Sequence, residues 1–331
     1  MRARTWTRLA ATAACALAVG GCEGVQSALD PQGPEAERVA RLFWALTIGS
    51  AAILAGIIAL ATIALIGGAP ARRRLDNETV IIAGGIVFPV VTLTAVLAWS
   101  EIVMGANATR GDDNVVRIGV VGERWWWRVI HRDAQGRRFE SANELRIPVG
   151  RAVEIELTSA DVIHSFWVPK LAGKLDMIPG RRNVLRLKAD APGVMRGQCA
   201  EYCGGPHALM SFHVVAMAEP EFARWLAREA GAAETPRDPT TEQGHLLFMT
   251  SGCGGCHAVR GTAAAGTIGP DLTHVGGRMS LAAATLPNDE AAFARWIRDG
   301  QHIKPENLMP PFGIFNESEL AALSRYMASL K

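Results

Sequence analysis

Two long stretches near the N-terminus carry no charge: Leu42 to Ala71 and Thr79 to Ser100. Each exceeds the ~20 residues that take an α-helix across a bilayer, so the pattern predicts two spanning helices at about 43–68 and 79–100. Pro89, inside the second, removes one backbone hydrogen bond and predicts a kink. From about residue 115 the period changes to two. Val153 to Leu157 and Leu185 to Lys188 alternate apolar with polar, and Pro or Gly residues separate such runs, which predicts an antiparallel sandwich or barrel. A helical segment, Pro220 to Ala230, leads into Gly231 to Pro239, whose small, charged and proline residues suit an exposed linker. Beyond it the helical period returns. Asn288 opens a short helix with Phe293, Trp296 and Ile297 on one side and Gly300 at its end, and Leu320, Leu323, Met327 and Leu330 form the apolar stripe of a terminal helix capped at Asn316. The expected organisation is a leader over 1–22, a two-helix hairpin over 23–110, an all-β domain over 111–220, a linker over 221–240 and an all-α domain over 241–331.

Composition agrees with partial membrane burial: 331 residues, 49% hydrophobic, 20% charged, net charge +2, and a mean hydropathy of +0.13. The basic residues are scattered and form no stripe, which excludes a nucleic-acid partner. Arg2, Arg4 and Arg8 precede the short apolar run Leu9 to Val19 and a set of small residues, as in a bacterial export signal. Val19-Gly20-Gly21-Cys22 resembles a lipobox, in which the cysteine thiol is acylated; the alternative is ordinary cleavage that leaves Cys22 a free thiol. Arg72, Arg73 and Arg74 lie between the two apolar spans, and the positive-inside rule assigns them to the cytoplasm. The expected setting is the lipid bilayer of a bacterial inner membrane, with everything after residue 100 on the external, periplasmic side. Trp44 and Trp99 sit where interfacial aromatics are expected, and Glu78 reads as a solvated helix-start carboxylate, with a proton-path role as the alternative.

The cysteines carry the chemistry. Cys199, Cys203, His207 and Met210 pack two thiols, an imidazole and a thioether into twelve residues, a set of soft ligands suited to copper. One copper ion in a blue-copper site needs a single thiolate, so the second cysteine points to two copper ions bridged by both sulfurs. Each ion then needs an imidazole and one weak ligand. His207 supplies one imidazole and His164, at the end of an apolar strand, is the candidate for the other, with Met210 and the backbone carbonyl of Glu201 as weak ligands. A Cys199–Cys203 disulfide beside a core histidine, or a zinc site, are the alternatives. His131, His213, His245, His274 and His302 have no ligand context and read as ordinary surface or core histidines.

Cys253-Gly254-Gly255-Cys256-His257 is the attachment pattern for a covalent haem c, with the histidine reaching the iron from one face. A zinc or redox CxxC is the alternative. Met279, Met309, Met327, His274 and His302 are available as the second axial ligand. Met309, in Asn307-Leu308-Met309-Pro310-Pro311-Phe312, is the choice, because prolines stiffen an extended loop and thioether ligation raises a haem potential. Met327 falls on the apolar stripe and reads as core.

Asp161 to Pro169, Gly173 to Arg181 and the Cys199 to Met210 loop together resemble subunit II of the haem-copper cytochrome c oxidases over roughly residues 25 to 225. Residues 241 to 331, with the attachment pattern and Gly269-Pro270, resemble a class I cytochrome c, and the fusion is similar to the cytochrome-c-linked branch of bacterial terminal oxidases. The resemblance implies a cupredoxin fold with a dinuclear copper centre, a Glu201 carboxylate on a magnesium ion shared with the catalytic subunit, and Asp176 near that interface. It implies that Trp125, first of Trp125-Trp126-Trp127, is the point of electron entry; on residues alone the cluster is core packing. The implied role is electron entry: from a donor such as a cytochrome c or a quinol-cytochrome c reductase, through haem c and copper, to haem-copper oxidase subunit I, where oxygen reduction and proton pumping reside. No histidine cluster in either span can build an oxygen-reducing site here. Electron delivery to a nitrogen-oxide reductase, and a copper-delivery or assembly factor, are the alternative functions.

Overall fold

A computed structural model describes residues 23–105 and 115–331. The expected export signal and lipobox fall on residues 1–22 and lie outside the described residues. The chain divides into two units, residues 37–113 and the remainder.

The first unit holds most of the apolar helices. Helix α1, Pro34–Ile66, begins earlier than its uncharged stretch because proline is favoured in a first turn. A short α2, Ala69–Leu75, carries the three arginines. It is followed by α3, Glu78–Ile82, whose N-cap Asn77 accepts from the Thr79 amide at 2.9 Å. A π-helical turn, Ala83–Val87, joins α3 to α4, Phe88–Gly105. The π turn ends two residues before Pro89, whose ring cannot accept the usual α-helical register against the carbonyl four residues back. Pro34–Ile66 and Glu78–Val103 are both long and apolar enough to cross a membrane, with mean hydropathies of 2.4 and 2.5.

The second unit contains a β-sandwich and a helical domain. The strands are β1 Val116–Glu123, β2 Trp126–Arg132, β3 Arg138–Ala142, β4 Glu144–Pro148, β5 Val153–Ser159, β6 His164–Trp167, β7 Leu175–Met177, β8 Asn183–Leu187, β9 Gly193–Cys199 and β10 Ser211–Met217. They form two five-stranded sheets, ordered β3-β2-β1-β5-β8 and β4-β10-β9-β6-β7. The alternation read over Val153 to Leu157 is observed as buried and half-exposed positions in turn. Ile118, Val120, Ile155 and Leu157 of one sheet face Leu145, Ile147, Phe166 and Phe212 of the other in one buried cluster. The sheets are not purely antiparallel, as expected, but mixed: β1 pairs with β5, and β10 with β4, in parallel. The physical reason lies at Asn143, between β3 and β4, where the chain leaves one sheet for the other through a left-handed backbone conformation (φ 61°) that asparagine tolerates. A strand that changes sheets need not return antiparallel to its predecessor.

Residues 23–36 lie along this sandwich. The Gln32 amide donates to Lys170 O at 2.7 Å and the Asp190 amide to Gln32 O at 2.9 Å, while Lys170 and Asp30 form an ion pair. Helix α5, Glu219–Glu229, buries Phe222 and Trp225. The helical domain is built from α6 Pro239–Thr250, α7 Glu290–Ile303 and α8 Glu317–Ser329. Asn316 caps α8 in a reciprocal capping box with Glu319. Helices α6 and α8 cross closely: a Cβ on Gly244 would stand 2.1 Å from Ala322 O. Helix α7 differs from expectation at both ends. Its N-cap is Asp289, which accepts from the Ala292 amide, because Asn288 instead donates its side-chain amide to Val275 O and Arg278 O. At the other end it continues beyond Gly300 to Ile303 through a break at Asp299. A two-stranded ribbon, β11 Ser280–Leu281 with β12 Leu286–Pro287, interrupts the otherwise helical domain.

Candidate metal and haem centres

The end of β9, the following loop and the start of β6 bring one thiol-imidazole cluster together. Cys199 Sγ lies 3.7 Å from Cys203 Sγ, 3.8 Å from His164 Nδ1 and 3.1 Å from the Glu201 carbonyl oxygen. Cys203 Sγ lies 3.4 Å from His207 Nδ1 and 3.8 Å from Met210 Sδ. Both cysteines are free thiols. The ligand atoms of His164, Cys199 and Cys203 all lie within 4.8 Å of one another, as a metal cluster requires. Met210 and His164 are fully buried and His207 is half-buried. The two thiols cannot both ionise cheaply without a cation: contact between them pulls Cys199 down and pushes Cys203 up. Copper answers that conflict, and the donor set fits it.

His164 is oriented by a partner that sequence reasoning missed. Asp161 Oδ1 stands 2.8 Å from His164 Nε2, which leaves Nδ1 for the metal. The same carboxylate accepts from the Arg124 and Val162 amides, both at 2.7 Å. Gly122 on β1 approaches the imidazole so closely that a Cβ would meet Cδ2 at 2.7 Å. The Glu201 side chain points outward, its carboxylate 3.7 Å from Lys174 Nζ, which also stands 3.3 Å from Asp176 Oδ1.

A mostly apolar cavity of about 310 Å³ lies where the helical domain meets the β domain, lined by Cys253, Cys256, His257, Met309, Phe248 and Phe293 among others. His257 Nδ1 donates to Pro270 O at 2.7 Å, so Nε2 is the nitrogen left to bind iron. Burial holds this imidazole below its ordinary pKa, which favours the neutral form that a metal ligand would need. A Cβ on Gly269 would lie 2.5 Å from the ring, which explains glycine in that turn. The Met309 amide donates to Asn307 Oδ1, and the Met309 carbonyl accepts from Gln301 Nε2, which holds the extended loop. Arg278 lines the cavity, is 9% exposed, and its Nε has no hydrogen-bond partner among the described residues. Its Nη2 donates to Asp271 O, so one buried N–H of the guanidinium is left over, which fits a ligand carrying carboxylates, as haem does. Met327 is buried between α8 and the cavity. Of the remaining histidines, His213 bonds Ser280 Oγ, His274 bonds Lys331 O, and His302 is exposed.

The three tryptophans divide. Trp127 is core, 1% exposed and packed edge-on against Phe166 and Phe212. Trp125 belongs to the same buried cluster and also lines the cavity, as does Trp126. Trp125 Nε1 also donates to Cys203 O at 3.0 Å, so one side chain touches both the cavity and the cysteine loop.

A family model described as cytochrome c oxidase subunit II, periplasmic domain, matches residues 129–217, and one described as cytochrome c matches residues 241–331. The chain is 36% identical to cytochrome c oxidase subunit 2 of Alkalihalophilus pseudofirmus over 324 residues, 94% of this chain and 93% of that one. It belongs to the cytochrome c oxidase subunit II family. Subunit 2 of the Bacillus subtilis oxidase is 33% identical over 256 residues, 74% of this chain and 70% of that one. The periplasmic domain of subunit II from Bradyrhizobium japonicum, a crystal structure, is 32% identical with a TM-score of 0.34, covering 37% of this chain and 95% of that one. As a subunit II, the chain is part of an oxidoreductase complex with other oxidase subunits as partners, and carries copper in its β domain and haem in its C-terminal domain. Its two apolar helices make it a membrane protein with external domains. Besides Asp161, sequence reasoning passed over Asn143, whose Oδ1 accepts from the Trp127 amide at 2.9 Å, Arg278, and Lys304. Asp161 stood within a quoted motif; the others carry no local signal.

Proposed function

We propose that this subunit II is the electron-entry path of an aerobic terminal oxidase: reducing equivalents from an external donor enter at the helical domain and leave through the β domain for the catalytic subunit that reduces oxygen to water. The residues that would hold a covalent haem c are Cys253, Cys256, His257 and Met309. Those that would hold a dinuclear copper centre are His164, Cys199, Cys203, His207, Met210 and the Glu201 carbonyl. When bound, the two groups supply reversible one-electron carriers. The side chains of this chain hold them in apolar, largely dry settings, which limits the reorganisation that electron transfer costs. The outward carboxylate of Glu201 is the proposed contact to a magnesium ion shared with subunit I, with Asp176 and Lys174 beside it. A cytochrome c or a quinol-cytochrome c reductase is the proposed donor, and a bacterial inner membrane, with both domains on the periplasmic face, the proposed location.

One observation carries the reading. Trp125 lines the cavity that holds Cys253, Cys256, His257 and Met309, and its indole N–H bonds the Cys203 carbonyl at 3.0 Å. A single aromatic side chain therefore connects the two cofactor sites. The test is oxygen uptake by the complex purified through a tag on this chain, with an artificial donor to the haem. Cyanide-sensitive uptake that is lost in Cys199→Ser, with the haem spectrum retained, is the expected result. Uptake unchanged in Cys199→Ser would refute the copper assignment, and an intact, reducible complex without uptake would turn the search to nitrogen-oxide acceptors.

A further inference from the structure

Lys304 follows the last residue of α7 in the helical domain, and its ammonium lies where that domain meets the β domain. It is 3% exposed. Nζ donates to Trp125 O at 2.6 Å, Leu209 O at 2.9 Å and Ala282 O at 3.3 Å. An ammonium has three N–H groups, and all three are directed to main-chain carbonyls, two of them in the other domain. No carboxylate pairs with it among the described residues, and burial lowers its pKa to about 7. A lysine so placed costs stability unless its geometry does something for the fold or the site.

Its neighbours are equally unusual. Ala282, Ala283 and Ala284 are consecutive left-handed residues, with φ of 53°, 61° and 60°, a conformation that disfavours every residue with a Cβ. The turn between β11 and β12 is thereby directed at the β domain. Ala283 O accepts from the Ser211 amide at 3.2 Å, and Ala284 O from Arg196 Nη2 at 3.3 Å. Leu209 and Ser211 flank Met210. The weak copper ligand is thus tied down on both sides by the helical domain, on one side by Lys304 and on the other by the alanine turn.

We infer that Lys304, with the Ala282–Ala284 turn, is a positioning device through which the docked haem domain sets the placement of Met210 and Trp125 in the copper domain. This rests on the proposed reading of Met210 as a copper ligand and Trp125 as the electron path. The helical domain is then not a tethered donor that visits the copper domain. It is an outer shell of the copper site.

The test compares the full complex carrying the native chain, Lys304→Met, which keeps the bulk and removes all three donors, and Lys304→Gln, which keeps two N–H donors. Three quantities are read: the rate of haem-to-copper electron transfer after rapid reduction, the copper absorption and paramagnetic signature, and hydrogen exchange at residues 209–211. Haem spectrum and copper content serve as folding controls. The expected result for Lys304→Met is transfer slowed about tenfold or more, as for loss of an outer-shell partner, a shifted copper signature, and faster exchange at Ser211. Lys304→Gln falls between, and is read in its place if Lys304→Met does not assemble. Native transfer rate, copper signature and exchange in both variants would overturn the inference. Absence of transfer in the native complex would instead refute the proposed function, and exchange at Ser211 would still decide whether Lys304 holds the domains together.

Discussion

Replacing Gly122 by alanine tests the copper centre through a residue that is not a ligand. The new Cβ would stand 2.7 Å from His164 Cδ2, 2.9 Å from Cγ and 3.2 Å from Cβ. The first distance falls short of a comfortable carbon–carbon contact by about 0.8 Å. The β1 backbone cannot retreat, since Gly122 is paired with Trp127 on one side and Ser159 on the other. The imidazole has no free direction either: it is fully buried, held at Nε2 by Asp161, and bounded by Trp127 with ring centres 6.3 Å apart. Overpacking of this kind costs about 1–3 kcal/mol. Metal-ligand distances tolerate only about 0.2 Å, so the displaced ring should lower copper affinity on the order of 10–100-fold. The assay is copper per haem in the purified complex, with the copper absorption spectrum and thermal denaturation alongside. Gly122→Ala should lose copper and melt earlier while its haem spectrum stays native. Full copper content with an unshifted spectrum would refute both the packing argument and His164 as a ligand.

Other perturbations separate the domains. Asp161→Ala removes the group that orients His164 and should weaken copper binding about 10–100-fold without changing the haem, checked by titration with a copper chelator. Gly244→Ala drives a Cβ to 2.1 Å from Ala322 O where α6 crosses α8; it should destabilise the haem domain by about 1–3 kcal/mol, seen as loss of the haem spectrum on heating while copper is retained. Met309→Leu should keep the haem covalently attached through Cys253 and Cys256 but lower its reduction potential, measured by redox titration. His131 is buried against Phe139 and Trp225, and burial, with the nearby charge of Arg146, lowers its pKa from 6.5 to about 3. The folded state therefore resists a proton that the unfolded state accepts, so stability present above the unfolded value is lost as pH falls through it toward the folded one. About 2 kcal/mol should disappear by about pH 5, and denaturant melts of His131→Phe should lack that loss.

What was legible in the sequence follows the range of each signal. The cysteine loop and the haem attachment pattern are local, because a metal or a porphyrin demands its ligands at fixed spacing within a few residues, and the uncharged stretches state their length directly. Strand positions were legible from alternation, but parallel pairing was not, since it depends on a change of sheet at Asn143 that one left-handed residue makes. The start of α7 was misread because Asn288 and Asp289 are both competent caps, and only a tertiary demand on the Asn288 amide, from Val275 O and Arg278 O, decides between them. The role of Trp125 was undecided for a related reason. An aromatic cluster on a strand looks the same whether it faces a core or a cavity; Trp127 is core alone, whereas Trp125 packs in that core and also lines the cavity.

The contact between the two soluble domains is the least legible part and the most consequential. It is made by single polar groups far apart in sequence: Arg128 to Thr267 O at 2.8 Å, the Met279 amide to Glu144 Oε2 at 2.7 Å, Arg260 to Glu140 O at 3.1 Å, and Lys304 to Trp125 O. None repeats, and none belongs to a motif. Taken together they distinguish two ways of joining a donor to an acceptor. A flexible linker of the composition of Gly231 to Pro239 would raise the effective concentration of one domain near the other and leave the orientation to chance. Hydrogen bonds at several separate points, one of them the buried Lys304 contact, instead fix orientation, since a buried donor or acceptor lost on undocking would have to be rehydrated or left unpaired. The linker itself is not free: the Ala233 amide donates to Arg260 O at 2.9 Å, and Arg260 also donates to the carbonyls of Gly231 and Glu229. A fixed dock makes the transfer distance a property of the fold, so the rate of internal electron transfer should be insensitive to linker length but sensitive to Lys304.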